Sequence, residues 1–134
     1  MHGTEELEKY LNIKIPESYI KWFSDTKDYR RYNSIILRSE HGEFIVKQWL
    51  DIKYEGLNSI GEIYTESRDQ LLEGIVPIAF TDIDDYICLF YSNGRHQEPS
   101  IILWDYELAL EELEEGLIHI ANDFLEFTKM LIFK

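Results

Sequence analysis

Cysteine is nearly absent from this chain, which has one, Cys88, among its 134 residues. A single cysteine cannot form a disulfide framework, and this fits a protein kept in a reducing cytosol. Cys88 lies inside an apolar run, and no histidine or basic residue stands near it in the sequence to lower the pKa of its thiol. We therefore expect a small buried hydrophobic residue rather than a reactive thiol.

Long apolar runs are missing as well. No segment approaches the length of a membrane span, and residues 1–6 have neither the basic nor the apolar region of a secretory signal. We therefore expect a soluble, cytoplasmic protein. At 134 residues the chain has the length of one domain, residues 1–134, which is enough to build a core without disulfides or a structural metal.

Basic residues are scarce relative to acidic ones. The chain has 13 lysines and arginines against 26 aspartates and glutamates, so its formal net charge is −13. A field of this sign repels phosphate backbones and anionic lipids, which disfavours nucleic acid and membranes as direct partners. It would accelerate association with a basic protein. The alternative interpretation is that the charge serves solubility alone.

Motifs that hold cofactors or carry catalysis are not visible either. The seven glycines are scattered and form no phosphate-binding loop, and the four histidines share no metal-type spacing. No serine lies in a G-x-S-x-G elbow, although a catalytic triad assembled by the fold leaves no such trace in a sequence. We predict no cofactor, no metal site and no enzymatic activity.

Three short apolar runs dominate what the sequence does contain. They span residues 75–80, 86–91 and 101–104, are rich in Ile, Val, Phe and Tyr, and are bounded by turn residues, as is typical of β-strands. The middle run is apolar at both alternating sets of positions, which indicates a strand covered on both faces. We predict that it lies centrally in a mostly antiparallel sheet.

Helix and turn signals surround these runs. An N-cap threonine, a proline at a helix start and apolar spacing predict a helix pair at residues 4–11 and 16–25. The other predicted elements are, in chain order, a solvated loop at 26–33, a hairpin from strands 34–39 and 44–50, a helix at 66–73 capped by Thr65 and closed by Gly74, and an amphipathic helix at 117–131.

Taken together, these elements predict a single α+β domain. Its mostly antiparallel central sheet would be packed by the N-terminal helix pair and by the C-terminal helix. The conformation of residues 107–115 is left open, because the glutamates in this segment repel one another and weaken an isolated helix.

An acidic turn separates the first two apolar runs and carries Asp82, Asp84 and Asp85. It does not fit a calcium loop, because Ile87 stands where the sixth position requires glycine and Asn93 where the twelfth requires glutamate. We interpret it as a turn between two strands, in which aspartate accepts backbone hydrogen bonds and tolerates unusual φ angles. The same turn could also present a recognition surface.

Three parts of the chain form a pattern that is more specific in combination than any one of them. Residues 7–23 contain a helix, an apolar–proline step and a second helix, and residues 74–89 contain paired strands around the acidic turn. Residues 100–106 end a strand in tryptophan and aspartate, and residues 120–127 follow as a closing helix. This order resembles the SUKH superfamily, which is related to a fungal regulator of cell-wall synthesis and includes many bacterial immunity proteins.

The resemblance implies an α+β domain without catalytic activity. Bacterial proteins of this kind resemble immunity proteins, which bind and neutralise a cognate toxin, often a nuclease. The net charge of −13 supports such a partner independently, because it would steer the chain toward a basic toxin. The alternative is a regulatory or scaffold protein that binds another cellular protein, like the fungal relatives.

An acidic, aromatic-bearing surface around the core sheet is the predicted partner-binding site. We expect its residues at strand ends and loops, where carboxylates provide charge complementarity and an aromatic side chain provides an anchor. The predicted residues are Asp82, Asp84, Asp85, Glu98, Asp105 and Tyr106, with Tyr106 as the anchor.

Overall fold

One seven-stranded sheet carries the fold. The computed structural model of the protein describes residues 2–133, except for the side chains of His2 and Tyr106. The helices among them are α1 (His2–Leu11), α2 (Glu17–Asp25), α3 (Lys27–Tyr32), α4 (Ile60–Ser67), α5 (Tyr106–Glu111) and α6 (Phe124–Thr128). The strands are β1 (Ile35–Ser39), β2 (Gly42–Trp49), β3 (Ile75–Thr81), β4 (Tyr86–Phe90), β5 (Ser100–Trp104), β6 (Leu117–Ala121) and β7 (Leu131–Phe133).

The strand order across the sheet is β6-β5-β4-β3-β2-β1-β7, and each neighbouring pair is antiparallel. The three apolar runs become β3, β4 and β5, as predicted. Ile87, Cys88 and Leu89 of β4 are at most 1% exposed, so both faces of this strand are covered. The predicted α+β class and the mostly antiparallel sheet are confirmed.

The two faces of the sheet bury cores of unequal size. Ile87 and Leu89 of β4 belong to the larger core, which also holds Leu7 of α1, Tyr19 of α2 and Phe124 of α6. Fully burying a side chain of this size stabilises the fold by about 1.5–3 kcal/mol. The alternate residues of the central strands form the smaller core, whose buried members are Leu71, Ile75, Cys88, Ile102 and Trp104.

The N-terminal helix pair lies where the sequence predicts it. Pro16 precedes α2 with a φ of −58°, which suits a helix start because the missing N–H has no partner there. The Glu8 carboxylate accepts the Ile15 N–H at 2.7 Å, and the Tyr91 hydroxyl donates to the Lys14 carbonyl at 2.9 Å. These bonds fix the linker between the helices against the sheet.

Residues 26–33 are not the solvated loop that their polarity predicts, because most of them form α3. The reason lies in Arg30, which is partly buried instead of solvated. Its guanidinium lies 3.7 Å from the centre of the Phe23 ring and donates to the Thr26 hydroxyl at 3.0 Å. A cation that stacks on an aromatic ring can lie at the edge of a core.

The predicted helix at residues 66–73 is also wrong, because α4 begins and ends earlier. Ser59 is its N-cap and accepts the Glu62 N–H at 3.1 Å, whereas the predicted cap Thr65 lies inside the helix. Gly61 stands in the first turn of α4.

The prediction of one amphipathic helix at residues 117–131 is wrong as well. This segment forms β6, the short helix α6 and the start of β7, and the two strands close opposite edges of the sheet. Asp123 caps α6 by accepting the Glu126 N–H at 2.8 Å. Phe124 and Phe127 are fully buried. The apolar spacing that predicted one long helix therefore comes from a five-residue helix and two strands of the sheet.

Gly61 provides a test of how tightly α4 packs. A Cβ at this position would lie 2.0 Å from the Tyr54 carbonyl oxygen, so no side chain fits. In an open helix, glycine to alanine would stabilise by about 1 kcal/mol. We expect Gly61→Ala instead to lower the free energy of unfolding, measured in urea, by about 3 kcal/mol.

The control is Glu66→Ala, an exposed position of the same helix. It should change the free energy of unfolding by less than about 0.5 kcal/mol. Equal stability of the two variants would contradict the close approach of α4 to the Tyr54 backbone.

Candidate functional site

A cleft of about 590 Å³ opens at one end of the sheet, between the β3–β4 turn and the point where the chain leaves β5. Tyr86 pairs with Trp104 across β4 and β5, so Asp105 emerges beside the turn. We call this cleft the acidic cleft; its described lining residues are Phe80, Ile83, Asp84, Asp85, Tyr86, Asp105 and Glu107. Four of these are carboxylates and none is basic.

Buried hydrogen bonds hold the β3–β4 turn in place. Thr81 is fully buried, its N–H donates to the Asp85 carbonyl at 2.9 Å, and its hydroxyl accepts the Asp85 N–H at 3.2 Å. Asp84 has a φ of 64°, in the left-handed region that aspartate tolerates better than most residues. The predicted turn is confirmed, and the φ of residue 84 explains the aspartate at that position.

The side chains of the turn have different environments. Asp85 is 7% exposed, whereas Ile83 is 60% exposed and faces solvent at the cleft. The Asp84 carboxylate lies 3.3 Å from Lys47 Nζ of β2, and both side chains are largely exposed. An ion pair between exposed side chains contributes about 0–1 kcal/mol to the free energy of unfolding. Asp84 therefore stays available to a partner that offers better-placed cations.

Asp105 directs the chain out of β5 and into α5. Its Oδ1 accepts the N–H groups of Glu107 at 3.0 Å and Leu108 at 3.2 Å, which satisfies two donors of the first helical turn. Its own N–H donates to the Gly116 carbonyl at 2.8 Å, where the chain returns toward β6. The sequence predicted no conformation for residues 107–115. In the structure they belong to an excursion between β5 and β6 that contains α5 and a 3₁₀ turn.

The structure does not bring all six predicted site residues together. Asp84, Asp85 and Asp105 line the acidic cleft, whereas Asp82 lines a separate groove together with Arg31 and Lys47.

Glu98 lies at the opposite end of the sheet. The register of Phe90 with Ser100 places the intervening loop there, and Glu98 lines a third groove beside Lys14 and Pro16. Tyr106 begins α5, but its side chain lies outside the described part of the chain.

Sequence reasoning missed the apolar part of the site. Phe80 and Tyr86 form a ring pair in the cleft wall, with centroids 5.0 Å apart. Beyond the cleft, Leu108 and Leu110 of α5 are 44% and 71% exposed. Leucines recur among glutamates in this segment of the sequence, but such a pattern does not tell whether the leucines are buried or exposed.

The single thiol of the chain lies in the smaller core. Cys88 is fully buried, as predicted, and burial raises the pKa of its thiol well above the ordinary value. Within residues 2–133, no group of three or more His, Cys, Asp or Glu side chains could hold a metal ion. None of the described helices combines the length and apolarity needed to cross a bilayer.

Two substitutions of Asp105 distinguish the effect of its negative charge from the effect of its hydrogen bonds as the N-cap of α5. Asp105→Ala removes the acceptor of two backbone N–H groups and should lower the free energy of unfolding by about 1 kcal/mol. Asp105→Asn keeps an acceptor while removing the charge, so its urea unfolding should stay within about 0.5 kcal/mol of the parent. If both variants lose equal stability, the carboxylate charge rather than the cap stabilises this end of α5.

Comparison with protein families identifies the family of the chain. The family model described as SMI1-KNR4 cell-wall, SUKH_6, matches residues 3–128, a span that includes the helix pair, the central strands and the whole acidic cleft. No curated protein and no solved structure matches the chain. The resemblance seen in the sequence is confirmed, and the chain belongs to the SUKH superfamily.

Proposed function

We propose that this protein is a non-catalytic immunity protein that binds and neutralises a basic, nuclease-type bacterial toxin. The observation that carries the proposal is the acidic cleft, where four carboxylates surround an exposed isoleucine on a chain of net charge −13. A nuclease holds its substrate through basic side chains that contact phosphates. A protein with this charge and this cleft can occupy the same surface and exclude the nucleic acid.

The residues in and beside the cleft have distinct roles in this proposal. Asp84 and Glu107 act on approach, because exposed charges accelerate the encounter with an oppositely charged partner. Asp85 is buried and contributes by keeping the turn in position. Tyr106, at the start of α5, is the proposed aromatic anchor.

Asp82 and Glu98 lie outside the proposed interface. Each lines a groove distinct from the acidic cleft, Glu98 at the far end of the sheet. Within the proposal they add to the negative field that attracts a basic toxin, without touching the partner at the cleft.

A regulatory or scaffold role is the second candidate function. Its support is the description of the matching family, which refers to the cell wall and not to toxins. The physical basis would be the same acidic surface, and only the partner would differ. A toxin gene directly upstream of the coding sequence favours the immunity role, and a conserved chromosomal setting without one favours regulation.

The charge of the cleft can be tested by neutralisation with the fold kept intact. We expect the double variant Asp84→Asn, Asp105→Asn to weaken binding to the product of the adjacent toxin gene by about tenfold, equivalent to about 1.4 kcal/mol. Asparagine tolerates the left-handed φ of residue 84 and caps α5, so stability should be kept. The measurements are calorimetric Kd values at two salt concentrations and rescue of growth on co-expression.

The matched control is Glu6→Gln, Glu66→Gln, which changes net charge equally at exposed positions of α1 and α4. It should lower only the salt-dependent association rate, because its charges act through the net field and not at the cleft. Equal weakening by the two double variants would mean that net charge, and not the cleft, governs binding.

A further inference from the structure

A groove of about 560 Å³ lies between α3 and β2, and its described lining residues do not overlap with those of the acidic cleft. We call it the cationic groove; its charged lining residues are Lys27, Arg30, Arg31, Lys47, Asp51 and Asp82. Four cations and two carboxylates give it a local charge of +2, although the chain as a whole has a net charge of −13. Solubility does not explain this group of cations, because the surplus of carboxylates already provides it.

Three of the cations lie on one face of α3. Lys27, Arg30 and Arg31 stand at positions i, i+3 and i+4, which are neighbours on a helix surface. Like charges at this spacing destabilise a helix, and no carboxylate of the described side chains forms an ion pair with any of the three. Lys47 lines the groove from β2, and its ion pair with Asp84 is exposed and therefore weak. The protein thus keeps adjacent cations that its own carboxylates do not neutralise.

Arg30 is held in a fixed position in the groove wall. Its Nε donates to the Thr26 hydroxyl at 3.0 Å, and its Nη2 donates to the Phe23 carbonyl at 2.5 Å. These bonds use two of the five N–H donors of a guanidinium. Partial burial lowers the pKa of Arg30, because the charged form has lost part of its hydration. An oxyanion in the groove would replace that hydration with charge-assisted hydrogen bonds.

We propose that the cationic groove binds the phosphoryl group of a small phosphorylated molecule. A phosphate monoester carries about −1.5 to −2 charges at pH 7 and three strong acceptor oxygens, which suit the charge and the donors of the groove. Arginine offers paired N–H donors to phosphate, and lysine offers a point charge. This inference is independent of the proposed function, which concerns the acidic cleft and a basic partner.

The charge of the surrounding surface restricts the ligand to a small one. Salt screens exposed charges beyond about 8 Å at physiological ionic strength, so a compact anion responds mainly to the cations that it contacts. A nucleic acid extends beyond the groove and meets a surface on which 26 acidic residues outnumber 13 lysines and arginines. Asp51 and Asp82 limit the negative charge that the groove itself accepts.

The probe for the test is inorganic phosphate, titrated into isotope-labelled protein at constant ionic strength by replacing chloride. We expect saturable amide shift changes centred on residues 26–34 and 45–51, which contain most of the groove lining. Phenyl phosphate should shift the same amides, because the phosphoryl group is the part that is recognised. A single-stranded DNA of about 12 nucleotides should bind no more tightly than phosphate.

The variant Lys27→Gln, Arg31→Gln should weaken phosphate binding at least about tenfold. Arg30 is left unchanged because it also holds α3. The matched control is Lys9→Gln, Arg68→Gln, which removes the same two residue types at exposed positions outside the groove. It should keep the affinity within about twofold. The urea midpoint of the groove variant should equal or exceed that of the parent, because the substitutions relieve repulsion on α3.

Three results would overturn the inference. One is equal weakening of phosphate binding by the groove variant and its control, and another is a set of amide shifts centred away from the groove. The third is tighter binding of the DNA than of phosphate, which would assign the groove to nucleic acid.

The proposed function fails or stands separately from this inference. Asp84→Asn, Asp105→Asn should bind phosphate at least as tightly as the parent, because it releases Lys47 from its ion pair. If that variant also binds the product of the adjacent toxin gene as tightly as the parent, the cleft-based proposal fails and the phosphate site stands. If it weakens toxin binding while the parent shows no saturable phosphate binding, the proposed function stands and the cationic groove is not a phosphate site.

Discussion

The pairing of β3 with β4 around a turn tied to Thr81 is the constraint on which the rest of the molecule depends. Thr81 is fully buried, and its N–H and hydroxyl both hold Asp85, while Asp84 closes the turn in the left-handed region. Because Tyr86 pairs with Trp104, the chain leaves β5 beside this same turn. The buried Thr81 and the register of β4 with β5 thus decide at which end of the sheet the acidic cleft forms.

This arrangement provides what a strongly acidic protein would need in order to select among basic partners. A net charge of −13 attracts basic molecules of many kinds, so it raises association rates without choosing between partners. Selection requires shape and apolar contact close to the charges. The acidic cleft places four carboxylates and the exposed Ile83 together at one end of the sheet. The proposed binding role needs this combination.

The elements that the sequence predicted well are those with strong local signals. Pro16 marked the start of α2, and the apolar runs marked β3, β4 and β5. Failures occurred where long-range contacts decide the conformation: α3 depends on Arg30 stacking over Phe23, and the C-terminal segment is divided by pairing with β5 and β1. Of the site, the sequence predicted carboxylates but not the leucines, because exposure is not visible in a pattern of apolar residues.

By itself, the sequence determined the α+β class, the central strands, the acidic charge and the family, since each depends on composition, local propensity or residue order. Only the tertiary structure decided which carboxylates share a surface. Asp84 and Asp105 are far apart in the chain, but both line the acidic cleft because antiparallel strands return to the same end of the sheet. Glu98 is separated from them because it follows β4 at the other end. Strand register sets these distances, and register is fixed by side chains packing across the whole sheet.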